Sequence, residues 1–264
     1  MREAAPLPDL TMLSSALRAG EFRMCYQPQL CCRSLRVVGA EALMRWNSSV
    51  VGRAVSPAEF IPQAERNGFI VELGGWSMSA ALRELLRWRR AVSLESGFRL
   101  AINLSGRQMT AGLPSKVAAL LEEVEVAPEW VELEITESYS HQDIGLMANV
   151  ASRLRDMGLG IAIDDFGTRF SVMEYLRRMP ATRIKIDGSL TRQILVSPRD
   201  YSIMRNLIRM IGELGMESVC EGVETAEQLA AIQDMGADCW QGFLFSPGVT
   251  GEAFQSLLGD ARQQ

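Results

Sequence analysis

The sequence predicts one α/β domain, a TIM-like (β/α)8 barrel whose first strand runs antiparallel to the second. Three observations support this fold class. Eight short apolar segments have strand character, stretches of helical periodicity separate most of them, and several of those stretches end at a glycine. Eight strands within 264 residues fit a closed barrel better than an open doubly wound sheet.

The predicted strands follow one another at the spacing of a parallel barrel. Five are the segments 24–30, 37–46, 99–105, 130–136 and 182–187, and three more lie within 155–167, 212–224 and 233–245. The first two strands are joined only by the residues CCRSL. A parallel crossover requires roughly a dozen residues or more, so the first strand is expected to be antiparallel to the second.

Glycines and capping residues indicate where the predicted helices end and begin. Gly158, Gly215 and Gly236 each follow helical periodicity and precede an apolar strand, as helix C-caps do. Helix starts are indicated by Ser56-Pro57 with Glu59, by Ser197-Pro198, and by Thr225 with Gln228. Residues 1–20 are predicted to form a helical extension, and residues 21–264 the barrel.

Composition restricts the partners that the chain is expected to bind. The net charge is −5, so there is no basic footprint for a nucleic-acid polymer or an anionic membrane. No apolar run is long enough to span a bilayer, and the N-terminal residues lack the apolar stretch of a signal peptide. Five cysteines without a C-x-x-C pair argue against a disulfide framework and a zinc site. The expectation is a reduced, cytoplasmic protein.

Histidine is nearly absent from the chain. His141 is the only one, and a structural role near a helix start is expected for it. Nucleophilic catalysis by a serine–histidine or cysteine–histidine pair is therefore not expected. Any catalysis would have to use carboxylates, amides and lysine.

Polar side chains lie at the C-terminal ends of seven consecutive predicted strands, where α/β barrels carry their functional groups. These residues are Glu41, Asn103, Glu134, Asp164 with Asp165, Lys185, Glu221 and Gln241. Lys185 is the only cation of this set, so the converging carboxylates would repel one another unless bound cations neutralised them. Oxygen ligands without cysteine or histidine favour Mg²⁺ or Mn²⁺ over zinc.

The adjacent Asp164 and Asp165 suit two metal ions, because one carboxylate can bridge the ions while its neighbour binds the second. Two ions about 3.5–4 Å apart are the usual arrangement for phosphoester hydrolysis. Lys185 would then orient the attacking water or stabilise charge on the phosphate. A sugar-phosphate or enolase-like enzyme also combines barrel carboxylates, magnesium and a lysine base, and periodicity does not separate the two classes.

The same residues stand in motifs that closely resemble the EAL family. The ordered motifs are EALMR (41–45), NLS (103–105), ELEITES (132–138), DDFGT (164–168), KID (185–187), EGVET (221–225) and QG (241–242). Any one of these motifs is weak evidence for the resemblance, but seven motifs in this order over nearly the whole chain are specific evidence. The family consists of bacterial phosphodiesterase domains that hydrolyse the second messenger cyclic di-GMP to linear pGpG. The resemblance implies that activity here.

The resemblance also implies roles for individual residues in metal binding and catalysis. The implied metal ligands are Glu41, Asn103, Glu134, Asp164, Asp165 and Glu221, with Glu41 also counted among the catalytic residues. Lys185 resembles the lysine that positions water or acts as general base. Gln241 and Glu224 stand where the family supports water, metal and substrate. Glu137 matches the glutamate that anchors the loop after DDFG.

Substrate contacts and partners follow from the same resemblance. Arg45 matches a phosphate contact, which suits the guanidinium fork, and Gln27 and Leu43 match contacts to the nucleotide. Leu43 could equally be part of the barrel packing. The family also implies a homodimer, and a sensor domain, receiver domain or partner protein could supply the input signal.

One loop departs from the family pattern. After DDFGT the family usually continues with glycine, an aromatic residue and two serines, but this chain has Arg169, Phe170, Ser171 and Val172. A positive φ that glycine tolerates would cost arginine roughly 1 kcal/mol or more. Active hydrolysis is the first hypothesis, because the metal and water residues are retained. A cyclic di-GMP receptor with little or no turnover, acting through a protein partner, is the second.

Overall fold

The computed structural model describes residues 8–136, 144–166 and 176–260 of the chain. Several predictions lie outside these ranges. They are the structural role of His141, the loop anchor Glu137, and the effect of Arg169 and Val172 on the loop after DDFGT.

Strands and helices alternate along most of the described chain. The strands are β1 (Phe22–Cys31), β2 (Val37–Ser48), β3 (Arg53–Val55), β4 (Arg99–Leu104), β5 (Val131–Thr136), β6 (Gly160–Phe166), β7 (Arg183–Ile186), β8 (Glu217–Cys220) and β9 (Cys239–Trp240). The helices are α1 (Leu10–Arg18), α2 (Pro57–Asn67), α3 (Ile70–Ala91), α4 (Leu113–Val124), α5 (Ile144–Asp156), α6 (Gly188–Thr191), α7 (Pro198–Glu213), α8 (Ala226–Asp234) and α9 (Gly251–Asp260). Residues 176–178 are also helical.

Eight of these strands close into a barrel. Their order around the barrel is β1-β9-β8-β7-β6-β5-β4-β2, and β1 pairs with β2 to complete the ring. Strand β2 is parallel to β4, and the pairs that follow it through β9 are parallel as well. Strand β1 is antiparallel to both of its neighbours, β2 and β9. The predicted barrel with an antiparallel first strand is therefore confirmed.

Strand β2 differs from its prediction in two ways. It continues to Ser48, and its last residues pair with the short strand β3. The sequence did not predict β3. Glu41 is also not at the end of β2, because it is the fifth residue of a twelve-residue strand. The parallel pairing of β2 with β4 stops at Ala42, so Glu41 still lies at the C-terminal edge of the parallel sheet.

The helix starts and ends that the capping residues and glycines predicted are confirmed. Ser56 and Thr225 each form a capping box, and Ser197 accepts a hydrogen bond from the backbone N–H of Asp200. Each of the three predicted C-terminal glycines has a positive φ, which glycine adopts without a Cβ penalty. Within the described ranges, no helix combines the length and apolarity needed to cross a membrane.

The apolar core has two parts. The larger lies between the barrel and its surrounding helices, and the smaller joins α1 and α2 to the extended end of β2. Leu13 of α1 is fully buried in the smaller part, which also contains Trp46, whereas Leu10 of the same helix is 47% exposed. The helix therefore packs on the fold, and the domain boundary at residue 20 stays a prediction.

A buried ion pair crosses the barrel interior near the amino ends of its strands. Arg183 Nη1 is 3.0 Å from Glu132 Oε1, and Arg183 Nη2 is 2.6 Å from Glu217 Oε2. Burial lowers the pKa of Arg183, but the two carboxylates outweigh it and raise the pKa above its ordinary value. The buried charge of Glu132 is thus paired with Arg183, and Glu217, whose side chain is 52% exposed, shares the same cation.

Candidate active site

Lys185 lies at the centre of four of the predicted carboxylates. Its ammonium nitrogen is 2.8 Å from Glu134 Oε2 and 3.2 Å from Glu41 Oε2. It is also 3.0 Å from Asp164 Oδ1 and 2.9 Å from Glu221 Oε1. The lysine is 1% exposed, so one buried cation is shared by four acidic side chains, carried by β2, β5 and β6 and by the residue directly after β8.

Strand alternation brings these side chains into the barrel. Lys185 lies between Ile184 and Ile186, both fully buried in the apolar core. Glu134 similarly lies between two buried residues, Leu133 and Ile135. Because successive side chains of a strand point to opposite faces, packing the apolar residues against the helices turns the charged ones inward.

An irregularity in β6 allows two consecutive aspartates to reach the site. The register of β6 against β7 shifts between Ile163 and Phe166, and Asp165 has a φ of 57°. Aspartate is one of the few residues besides glycine that adopts this left-handed conformation readily. One ligand oxygen each from Asp164, Asp165 and Glu221 lies within 4.8 Å of the other two. The adjacent acids can therefore share a cation.

Hydrogen bonds from amides orient Glu41. Asn103 Nδ2 donates to Glu41 Oε1 at 2.9 Å, and Gln241 Nε2 donates to Glu41 Oε2 at 2.7 Å. Gln241 also donates to Glu221 Oε1 at 3.2 Å and accepts a hydrogen bond from Gln29 at 3.1 Å. Both oxygens of Glu41 are thus held in place.

The pKa values of the acidic groups reflect burial and crowding of negative charge. Burial and the nearby carboxylates raise the pKa of Glu134 well above its ordinary value, against the effect of Lys185. Burial likewise raises the pKa of Glu221 to about 8, and burial with the Asp164 charge raises that of Asp165. Burial also acts to raise the pKa of Glu41, but Lys185 and the amide hydrogen bonds lower it overall.

Burial acts on the pKa of Lys185 in the opposite direction to its action on the acids. Burial disfavours its charged form, yet the surrounding carboxylates outweigh burial and raise the pKa of Lys185 well above its ordinary value. A single ammonium therefore lies among more acidic groups than it can balance, and the raised pKa values of Glu134 and Glu221 reflect this excess.

The donor set fits a divalent cation that prefers oxygen. Among the residues that the structure describes, the converging oxygen groups are carboxylates and amides, with no thiol or imidazole beside them, which suits Mg²⁺ or Mn²⁺. Glu134 is fully buried, and its Oε1 has no hydrogen-bond partner among the described residues. Since buried carboxylate oxygens are normally satisfied, this oxygen has capacity for a cation.

Two cavities open beside this cluster, and Glu41 borders both of them. One, of about 390 Å³, is lined by Lys185, the paired aspartates, Glu221 and the exposed Glu224. Gln27 lines the same cavity, and its amide donates to the carbonyl of Ser246 at 3.3 Å. The other cavity, of about 240 Å³, contains Leu43 and Arg45 on its wall. The three predicted nucleotide contacts are therefore divided between two neighbouring recesses.

The predicted residues within the described ranges come together, with the nucleotide contacts on the cavity walls around a charged centre. Sequence reasoning missed Gln29, whose amide supports Gln241, and Arg192, a cation that lines the larger cavity. Gln29 follows Gln27 by two residues, so period-two alternation on one strand could have indicated it. Arg192 follows the short helix α6, and no strand-end signal points to it.

Comparisons with known proteins identify the family of this chain. The family model of the EAL domain matches residues 10–248. A cyclic di-GMP phosphodiesterase of Pseudomonas aeruginosa is 36% identical over 252 residues, which are 94% of this chain and 42% of that protein. The bifunctional diguanylate cyclase/cyclic di-GMP phosphodiesterase MucR of the same organism is 34% identical over 236 residues, 88% of this chain and 34% of that protein. This chain thus spans less than half the length of both relatives.

Solved structures are similar as well. The MucR phosphodiesterase in complex with c-di-GMP has a TM-score of 0.86 at 32% identity, covering 93% of this chain and 98% of that one. The EAL enzyme Bd1971 with cAMP and cyclic-di-GMP bound has a TM-score of 0.88 at 30% identity, covering 94% of this chain and 67% of that one.

Proposed function

Because this chain belongs to the EAL domain family, we propose that it hydrolyses cyclic di-GMP to linear pGpG in a reaction that requires a divalent metal ion. The observation that carries the proposal is the convergence of carboxylates on Lys185 at the base of an open cavity. The reaction adds one water across one phosphodiester, breaking a P–O bond to leave a 5′-phosphate and a 3′-hydroxyl.

Relatives support this substrate and reaction. Two similar proteins are named cyclic di-GMP phosphodiesterases, and two similar structures contain cyclic di-GMP. These similarities favour a phosphodiesterase over the sugar-phosphate or enolase-like enzyme that barrel carboxylates alone would also allow.

Two Mg²⁺ or Mn²⁺ ions would be held by the inward-facing oxygen ligands. These are Glu41, Asn103, Glu134, Asp164, Asp165 and Glu221. Bound ions would activate water and withdraw negative charge from the phosphate. The proximity of Asp164, Asp165 and Glu221 oxygens, all within 4.8 Å of one another, supports a shared metal position at these three residues.

The protein's own residues would orient the reactants. Lys185, an ammonium held among carboxylates, would donate a hydrogen bond to the attacking water or to the phosphate. Gln241 and Asn103 would keep Glu41 in its binding orientation. Glu224, at the cavity rim, would contact water or substrate.

The substrate would occupy both recesses. Arg45 is suited to pair with a phosphate, because its guanidinium presents a planar fork of donors. Gln27 and Leu43 would contact the nucleotide from the two neighbouring cavities. Positive charge at Arg45 and Arg192, together with bound metal ions, would attract a dianionic substrate to a protein of net charge −5.

The direct test is hydrolysis of cyclic di-GMP by the purified chain with Mg²⁺, with Mn²⁺ and with a chelator. We expect linear pGpG only when metal is present, and none from Glu41→Ala. Glu217→Gln is the matched control, because that carboxylate is 52% exposed and lies at the opposite end of the barrel. Product formed equally with chelator, or by Glu41→Ala, contradicts the proposal.

A receptor with little or no turnover is the second candidate. Its support is the loop sequence in which Arg169 and Val172 replace the glycine and serine usual in the family. Binding of cyclic di-GMP without hydrolysis would favour it. The double variant Arg169→Gly, Val172→Ser then separates the cases, because a large gain in turnover identifies an enzyme slowed by this loop, and unchanged inactivity identifies a receptor.

A further inference from the structure

Two cysteines lie directly opposite each other where the barrel closes. Cys31 ends β1 and Cys239 begins β9, and the antiparallel register of these strands pairs the two residues. All five cysteines of the chain are free thiols in the structure. The charged side chains that act on Cys239 include Arg183 and Glu217, of the ion pair near the amino ends of the strands, and neither cysteine is among the residues of the proposed hydrolysis.

The backbone hydrogen bonds between these strands join the neighbours of Cys31 and Cys239 and do not join the two cysteines to each other. The backbone N–H of Cys32 donates to the carbonyl of Asp238 at 2.8 Å, and that of Cys31 donates to Arg36 at 3.0 Å. In an antiparallel sheet, pairs that are not hydrogen-bonded have Cα atoms about 4.5 Å apart. Disulfides span Cα separations of about 4.4–6.8 Å, so the backbone permits a bond here.

The two side chains share the inner face of the barrel. Gln29 lies two residues before Cys31 on β1, Gln241 lies two residues after Cys239 and directly follows β9, and their amides meet at 3.1 Å. Since side chains two residues apart on a strand point the same way, Cys31 and Cys239 form the next cross-strand pair on that face. Neither cysteine needs to leave its strand to reach the other.

The two thiols differ in character. Burial alone acts to raise the pKa of Cys31, but hydrogen bonds from Ser34 and from the backbone N–H of Arg33 outweigh it, so the pKa lies below its ordinary value. Cys31 is also half-buried, so a small oxidant can approach it. Cys239 is buried, and burial raises its pKa to about 12. A partly exposed thiol of lowered pKa beside a second thiol is the arrangement of redox-sensitive cysteines.

We propose that Cys31 and Cys239 are a peroxide-oxidised pair that forms a reversible disulfide across the closing seam of the barrel. The Cys31 thiol gives up its proton, and the sulfur attacks one oxygen of a hydroperoxide. The O–O bond breaks, the sulfur becomes a sulfenic acid, and the second oxygen takes up the released proton and leaves as water or alcohol. The Cys239 sulfur then attacks the Cys31 sulfur. The S–S bond forms, the S–O bond breaks, and the hydroxyl leaves as water with the Cys239 proton.

The disulfide would strengthen a weak part of the fold. Strand β9 has two residues, and its pairing with β1 comprises two residue pairs. A link between residues 31 and 239 would close a loop of roughly 200 residues, which restricts the unfolded chain strongly. Oxidation is therefore expected to raise the melting temperature by about 4 °C or more.

The test is treatment of the purified chain with hydrogen peroxide, alkylation of the remaining thiols, and peptide mapping without reductant. Cys25, Cys31 and Cys32 share one tryptic peptide, and Cys220 and Cys239 share another, so the linked masses alone do not identify the bond. Single cysteine-to-serine variants identify which two cysteines are bonded. We expect a cross-link between these two peptides that dithiothreitol removes, that Cys31→Ser and Cys239→Ser abolish, and that Cys25→Ser, Cys32→Ser and Cys220→Ser retain.

Two results would overturn the proposal. One is oxidation of wild type to a sulfinic or sulfonic acid at Cys31 with no cross-linked peptide. The other is a cross-link that persists in Cys31→Ser or Cys239→Ser. Because the first result is measured on the unaltered chain, it holds even if a variant fails to fold. The melting temperature of oxidised wild type, before and after dithiothreitol, supplies an independent readout.

Discussion

Gln241 donates a 2.7 Å hydrogen bond to the carboxylate of Glu41, although Glu41 is on β2, Gln241 directly follows β9, and these two strands lie on opposite sides of β1. Gln29, on the intervening strand, donates in turn to Gln241. The orientation of Glu41 therefore depends on how the antiparallel first strand closes the barrel.

Replacing Gln241 by alanine is expected to lower kcat for cyclic di-GMP by about 10- to 100-fold, with a smaller change in KM. Removing a group that orients a metal ligand typically has an effect of this size. Gln193→Ala is the control, because Gln193 is exposed. Steady-state kinetics checks the prediction, and an unchanged kcat for Gln241→Ala would show that Glu41 needs no such support.

Removal of the Lys185 charge is expected to destabilise the metal-free protein. In Lys185→Met, four carboxylates lose a cation that lies within 3.2 Å of each. Breaking buried ion pairs by removing one partner costs about 3–5 kcal/mol in the free energy of unfolding. Urea denaturation with chelator measures this loss. Lys116→Met, at an exposed lysine of α4, should change the unfolding free energy by less than about 0.5 kcal/mol.

Divalent metal is expected to stabilise the fold. At about 100 times the dissociation constant, one bound ion contributes about 2.7 kcal/mol, or roughly 5–10 °C in melting temperature for a domain of this size. Thermal denaturation with Mn²⁺, and again after chelator, tests this. Glu221→Gln should lose most of the increase, while Glu227→Gln, at an exposed helix start, should keep it. An equal increase in both variants would place the metal elsewhere.

The ion pair between Arg183 and Glu132 is expected to affect the free energy of unfolding and not the rate of hydrolysis. Arg183→Met leaves Glu132, which is fully buried, without its cation and should cost about 3–5 kcal/mol. The double variant Glu132→Leu, Arg183→Met should recover most of that loss, because apolar replacement removes both buried charges. Urea denaturation, with hydrolysis measured per folded molecule, distinguishes this from a catalytic role.

Several features of the fold were predictable because they depend on a few neighbouring residues. The capping boxes at Ser56 and Thr225 and the positive φ of Gly158 are local, so short sequence signals indicated them correctly. The antiparallel first strand was predictable for a similar reason, since a connection of five residues cannot cross over the sheet. The strand that carries each acid likewise followed from one strand at a time, although Glu41 lies within β2 and not at its end.

Other features required the tertiary structure, because they depend on the register between strands that are distant in sequence. The four carboxylates around Lys185, the ion pair of Arg183 with Glu132, and the facing thiols of Cys31 and Cys239 all arise from that register. The sequence by itself determined which chemical groups line the barrel. Closure of the barrel decided which of them touch, since a shift of one residue in any strand would turn its inward side chains to the opposite face.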